Sequence, residues 1–381
     1  MPIAAIRTHR FSAPLHTPFV TSLRRATSVD SLLVEVIDSD GRSGFGEAPQ
    51  VWAVTGANMA GSQAAVEEMI GPRLIGRDPD DLNANCAIVA KAVVGNEAAK
   101  AAVDVALHDL AARRLGIPLP RLLGAPAITA ATSSAAANSA ADGDGAGAGP
   151  GRGVVVATDV TLAAGAAEAL GAAAKERVAE GFRVLKVKVG TDAEGDLARI
   201  RAVCDAVGGA AKVRLDANQG WTPREAIRII NGISEEGLPV EFVEQPVAAK
   251  DLDGLAHVSQ RVDIPIMADE SVFGLRDLVE VIRRRAADLV NVKLAKCGGL
   301  GVARTLLVLA ESHGLGTCVG SMMEGPVGLG AAASLVAAYP TSVVSDLDAA
   351  WWLSESPLQG GLRYINGTVV LPDTPGLGID L

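Results

Sequence analysis

The chain has 381 residues, 49% of them apolar, a formal net charge of −10 and four scattered cysteines. That length suits a barrel with a smaller partner domain, and that apolar content suffices for a large core. An acidic balance without basic blocks argues against nucleic acid or an anionic membrane surface as a partner, and Cys86, Cys204, Cys297 and Cys318 form no CxxC pair, which argues against a disulfide frame or a zinc site.

The N-terminal stretch MPIAAIRTHRFSAPL is interrupted by Arg7, His9 and Arg10 before the apolar core of a secretion signal could form. No run of about 18 apolar residues is free of charge, so no membrane span is expected and the expected compartment is the cytoplasm. Residues 1–50 read as a strand meander, with Ser31–Ile37 rich in β-formers and Ser39–Gly41 a turn. From Gly61 to Gly116 the pattern turns helical, clearest over Asn96–Leu115, where Gly116 is a stop. Residues 1–126 are therefore expected to form an α+β capping domain. Residues 127–153 are almost wholly Ala, Gly and Ser and are expected to be a flexible insertion, because such a segment buries too little surface to offset its ordering entropy.

After Val154 short apolar strands alternate with helical stretches. The expected strands are Val154–Thr161, Val184–Val189, Val213–Asp216, Glu241–Glu244, Pro265–Asp269, Leu289–Lys293, Gly316–Gly320 and Ser342–Asp346. Repeated βα units predict a parallel sheet, and this number suits a closed (β/α)8-type barrel over 154–350. Residues 351–381 are expected to return to the capping domain.

The charges fall at informative places. Asp216, Glu244 and Asp269 end three consecutive expected strands, on the side where barrel active sites lie. Three converging carboxylates repel one another, and a hard divalent cation such as Mg²⁺, one per subunit, resolves that repulsion. Lys186 and Lys188 lie two apart in an otherwise apolar strand and so share a face. Lys293 ends the sixth strand, with Asn291 on its face. In a ring of eight, the second and sixth strands are opposed, so Lys188 and Lys293 would approach a central ligand from opposite sides, with Lys186 crowding Lys188. A C–H beside a carboxylate is a very weak acid whose conjugate base is a doubly charged enolate. A metal stabilises that charge, and a lysine crowded by another cation can act as base. Opposed lysines permit proton removal on one face and return on the other, which is epimerisation or racemisation.

At these residues the sequence resembles the enolase superfamily, muconate-lactonising subgroup, over nearly its whole length. The carriers are Gly44–Pro49 (GFGEAP), Lys186-Val187-Lys188, Asp216–Trp221 (DANQGW), Val243-Glu244-Gln245-Pro246, Ala268-Asp269-Glu270-Ser271 and Asn291-Val292-Lys293. Within it the chain most resembles the dipeptide epimerases of the L-Ala-D/L-Glu type. The resemblance implies a modified (β/α)7β barrel with an N-terminal cap, Asp216, Glu244 and Asp269 as Mg²⁺ ligands, and Lys188 and Lys293 as the two bases, with Lys186 supporting the bound carboxylate. It implies that Asp346 and Asp348 hold a dipeptide's α-ammonium group, that Ser321, Met322 and Glu324 border the substrate, and that Arg24, in the loop Thr17–Arg24, pairs with an acidic substrate side chain. It also implies a homo-oligomer. The alternatives on the same scaffold are a muconate cycloisomerase and an o-succinylbenzoate synthase or N-acylamino acid racemase, and from another class a non-catalytic metal-binding scaffold.

Overall fold

The computed structural model describes residues 1–127 and 153–380. The expected Ala/Gly/Ser insertion, apart from its two end residues, lies outside the described residues. Strands β1 (Ile3–Val20), β2 (Arg25–Asp38) and β3 (Ser43–Pro49) form an antiparallel meander. Its inner face rests on the helix Glu97–Leu115, which carries Ala at most contact positions and ends at Gly116 in the left-handed conformation that glycine adopts without strain. The approach is close enough that a Cβ on Gly46 would strike the Ala102 carbonyl, which explains a glycine in mid-strand.

The second unit is a parallel sheet of seven strands in sequential order: β5 (Val160–Leu162), β6 (Val184–Lys188), β7 (Lys212–Asp216), β8 (Val240–Glu244), β9 (Ile266–Ala268), β10 (Leu289–Lys293) and β11 (Gly316–Gly320). Helices alternate with the strands. The one at Pro223–Glu235 begins with a capping box between Thr222 and Glu225 and a proline in its first turn, the local signals that start a helix. Two expectations are corrected here. The run Val154–Thr161 is not one strand: Gly153–Ala157 (β4) pairs antiparallel with Thr368–Pro372, and only Val160–Leu162 joins the barrel. Ser342–Asp346 is not an extended strand either; the ring closes through isolated bridges, Gly320 to Asp346 and Thr158 to Ser345. The eighth position is thus a short clasp between β11 and the segment preceding β5. Among the described residues, no helix is long and apolar enough to cross a membrane.

Both faces of each barrel strand are buried, which is why β6 reads as an apolar run broken by lysines. Side chains of one parity pack on the helices, and those of the other point inward. Phe242, Met267, Leu289 and Cys318 form an apolar inner layer. Two residues further along the same strands come Glu244, Asp269, Asn291 and Gly320, so polar groups sit directly above that layer. The chain's last residues tie barrel to cap: Leu377 donates its N–H to Asp109 at 2.6 Å, and Arg113 pairs with Asp380.

Candidate active site

A pocket of about 540 Å³, counting its open mouth, lies between the cap and the C-terminal ends of the barrel strands. The cap contributes Phe19, Thr21, Leu23, Arg24 and Val54; the barrel contributes Lys188, Asp269, Lys293, Ser321, Met322, Asp346 and Asp348 among others. The cap loop is pinned by Ser22, whose hydroxyl donates to the carbonyls of Ala217 and Asn218 just beyond β7. Arg24 is half-buried, makes no ion pair among the described residues, and is lowered in pKa by burial. Its side chain lines the pocket on the cap side.

Lys188 and Lys293 sit on β6 and β10. Three strands separate them on one side; β11, the clasp and β5 separate them on the other, so they oppose each other across the ring. Lys188 donates to Asp216 Oδ2 at 2.6 Å and Lys293 to Asp269 Oδ2 at 2.7 Å. Gly320 leaves the space Lys293 needs, since a Cβ there would lie 2.9 Å from the lysine Cε. Burial alone would lower the Lys293 pKa, but the charges of Asp269 and Glu244 outweigh it and hold it above the usual value.

Beneath the pocket, Asp216 and Glu244 stand in register at the ends of β7 and β8. Lys186 lies between them: its Nζ is 3.1 Å from Asp216 Oδ2, 2.7 Å from Glu244 Oε2 and 2.7 Å from Asp346 Oδ2. Asp269, one strand further, meets Lys293 on one oxygen and Lys296 on the other, at 2.5 Å. Asp216, Glu244 and Asp269 are therefore on adjacent strand ends but spaced by lysines, which separate like charges. Burial raises the Glu244 pKa and the Asp216 charge adds to it. At Asp216 the effect of burial is overcome by Lys188 and Lys186, and the pKa falls.

Among the described residues, the oxygens of Asp216, Glu244 and Asp269 do not all come within 4.8 Å of one another, because lysine ammonium groups stand on them; what favours a hard divalent cation here is the chemistry of the donors. The donors are carboxylate oxygens, and three more buried oxygens around them, Asn218 Oδ1, Glu270 Oε2 and Asn291 Oδ1, have no hydrogen-bond partner among the described residues. Glu270 is pushed up to about 8 by burial and by the charges of Asp269 and Asp216.

Asp346 and Asp348 lie side by side at the clasp. The charge of Lys186 outweighs burial and draws Asp346 down to about 2. Asp348 Oδ2 accepts from the Thr161 N–H at 2.7 Å and the Trp352 indole at 3.0 Å, and burial raises its pKa. Ser321 donates to the Asp346 carbonyl. Glu324 stands outside the pocket lining. It accepts from the Met322 N–H and is pushed to about 8 by burial and by Glu47, which reaches from the cap to the N–H groups of Gly325 and Gly328.

Asn218 and Glu270 stand in the motifs that carry the resemblance but received no role from the sequence, and Lys296, Asp159 and Arg214 received none either. Lys296 stood three residues after Lys293 inside the apolar stretch LAKC, and Asp159 lay within the expected first strand. Both carried the signal that exposed Lys186, a charge inside an apolar run. A mixed group in the cap, Cys86, Asp104 and His108, also clusters. Asp104 there receives the Leu300 N–H, and its carbonyl receives the His108 ring, a self-satisfied link between cap and barrel.

The family described as "Enolase C-terminal domain-like" matches residues 169–381, and "Mandelate racemase / muconate lactonizing enzyme, N-terminal domain" matches residues 4–124. The chain belongs to the mandelate racemase/muconate lactonizing enzyme family of the enolase superfamily. The L-Ala-D/L-Glu epimerase of Clostridium acetobutylicum is 38% identical over 97% of this chain and 96% of its own. The substrate-liganded L-Ala-D/L-Glu epimerase of Bacillus subtilis superposes with a TM-score of 0.89 at 38% identity, covering 100% of this chain and 99% of that one. The dipeptide epimerase of Enterococcus faecalis, complexed with Mg and L-Leu-L-Tyr, gives 0.88 at 34% identity and covers 100% of both chains. The capped-barrel architecture expected from the sequence is that of this family.

Proposed function

We propose that the protein is a Mg²⁺-dependent dipeptide epimerase, an isomerase that removes the α-proton of a dipeptide's C-terminal residue from one face and delivers a proton to the other face of the resulting enolate. The observation that carries this reading is the opposition of Lys188 and Lys293 across one pocket, above a floor of strand-end carboxylates. Asp216, Glu244 and Asp269 would hold the ion. When bound, it supplies positive charge to the oxygens of the developing enolate and draws carboxylate charge away from the lysines. One lysine takes the proton from its face, and the other returns a proton on the opposite face. Lys186, too heavily ion-paired to serve as a base, steadies the substrate carboxylate and crowds Lys188. Phe19, Leu23, Met322 and Met323 cover the reacting carbon and exclude water.

Asp346 and Asp348 receive the dipeptide's ammonium group, with Ser321 and Met322 beside them. A muconate or acylamino substrate lacks that group and gives the pair no task, which favours the dipeptide. Arg24 calls for an acidic C-terminal side chain, so L-Ala-L-Glu is the substrate of choice. The four free cysteines suit a cytoplasmic enzyme.

The test is deuterium incorporation from D₂O into the Cα of the C-terminal residue of L-Ala-L-Glu, with Mg²⁺ present, beside a panel of L,L-dipeptides with neutral and basic C-terminal residues. Exchange is expected, fastest for the acidic residue. No exchange across the panel would dismiss the reaction; exchange with no preference for the acidic residue would dismiss the role of Arg24 alone.

A further inference from the structure

Asp159 lies behind the Asp346–Asp348 pair and belongs to no role assigned above. Carboxylate oxygens of Asp159, Asp346 and Asp348 all fall within 4.8 Å of one another. Asp159 is fully buried: Oδ2 is 3.1 Å from Arg214 Nη1, and Oδ1 has no hydrogen-bond partner among the described residues. It cannot swing out to solvent, because its segment is laced to the clasp. The Asp159 N–H donates to the Ser345 carbonyl, the Leu347 N–H to the Thr158 hydroxyl, and the Thr161 N–H to Asp348.

The cations that reach this cluster are shared. Lys186 also serves Asp216 and Glu244, and Arg214 also serves Glu241 at 2.7 Å and the Val344 carbonyl. Among the described residues Asp348 has only neutral donors, Thr161 N–H and Trp352. Three buried carboxyl groups thus outnumber the positive charge directed at them; burial and the Asp346 charge raise the Asp159 pKa well above the usual carboxylate range, so the cluster gains by the arrival of a cation, and it opens into the pocket at Asp346 and Asp348. With Asp346 spoken for by Lys186, a charge behind the pair decides how strongly the pair demands a cation.

We propose that Asp159 is a positioning residue for substrate selection: it supplies the third carboxylate that makes a free ammonium the required N-terminal group and turns away N-acylated and other neutral-ended carboxylates. This rests on the reading of Asp346 and Asp348 as the ammonium pocket. Asp159 acts through that pair without touching substrate, by its field and by holding Arg214 away from them.

The experiment compares Asp159→Asn with Asp348→Asn in the full-length, Mg²⁺-loaded enzyme. For Asp159→Asn we expect KM for L-Ala-L-Glu to rise roughly tenfold, equivalent to about 1.4 kcal/mol, with kcat within about threefold. The preference for the dipeptide over its N-acetyl derivative, measured as competitive inhibition, should shrink by a similar factor. Should Asp159→Asn not fold, Asp159→Ser removes the same charge and carries the same expectation. If Asp348→Asn raises KM while the Asp159 variant leaves KM and the N-acetyl preference unchanged, the inference is overturned and the ammonium pocket stands. If Asp348→Asn itself leaves KM unchanged, the ammonium pocket falls and the inference with it. A variant that loses only kcat and thermal stability marks Asp159 as structural and overturns the proposal.

Discussion

Replacing Lys186 by methionine keeps the length of the side chain and deletes the charge on which the pocket floor is built. Lys186 is 1% exposed, and its ammonium is within 3.1 Å of three buried carboxylates, those of Asp216, Glu244 and Asp346. Removing one member of a buried ion pair costs about 3–5 kcal/mol, because the partner is left uncompensated. Lys188 still serves Asp216, and Asn291 still donates to Glu244, so the lower half of that range is the better guide. Unfolding entropy of about 2.1 cal/mol/K per residue over 381 residues gives about 0.8 kcal/mol/K, so Tm should fall by about 4–5 °C. The deficit should depend on pH. Burial and the Asp216 charge already raise the Glu244 pKa, and loss of Lys186 raises it further. A carboxyl whose folded pKa lies above its unfolded value destabilises increasingly as pH rises through that window. The gap to wild type is therefore wider near pH 8 than near pH 5. Mg²⁺ should raise the variant's Tm more than the wild type's, since the carboxylates have lost a competing ammonium. Circular dichroism melts at both pH values, with EDTA and with Mg²⁺, read all three effects. A fall under about 1 °C, or a deficit equal at both pH values, would refute this account of Lys186.

Two further outcomes follow from the geometry. Lys188→Ala and Lys293→Ala should each slow epimerisation at least about a hundredfold while keeping solvent exchange with one epimer, because the remaining lysine still removes and returns a proton on its own face. Exchange with both epimers in either variant would contradict the opposed arrangement. Glu324 is held protonated by burial and by Glu47, with a folded pKa of about 8 against an ordinary 4.5. Its folded pKa exceeds its unfolded one, so its contribution is fully present below 4.5 and is lost as pH rises toward 8. The upper bound on that loss is about 5 kcal/mol. Glu324→Gln should flatten stability across this window in denaturant titrations, and an unchanged pH slope would remove Glu324 as its source.

The residues that bear the proposed chemistry were legible because their signals are local. Lys186 and Lys188 interrupt an apolar strand at spacing two, and Asp216, Glu244 and Asp269 sit where strands stop; strand periodicity alone sends each pair of alternate residues to one face. The capping helix announced itself by its periodicity and by Gly116, and the turn at 39–41 by its composition. Where the reading went astray, the partner was far away in sequence. Val154–Thr161 looks like one strand, and only Thr368–Pro372, which draws off its first half, divides it. Ser342–Asp346 looks like a strand, yet barrel curvature leaves it single bridges on either side.

What the chain determined unaided is therefore which side chains face inward and at which end of the strands they emerge, since side-chain direction follows from backbone geometry between neighbours. Which charge meets which was decided by tertiary structure. Asp159 finds Arg214 and the Asp346–Asp348 pair only once the ring closes, Lys296 finds Asp269 at the end of the neighbouring strand, and Arg24 enters the pocket with a loop that Ser22 ties to the end of β7. Coulomb pairing between buried groups depends on distances that no sequence spacing specifies, and those distances exist only after the cap has docked and the barrel has shut.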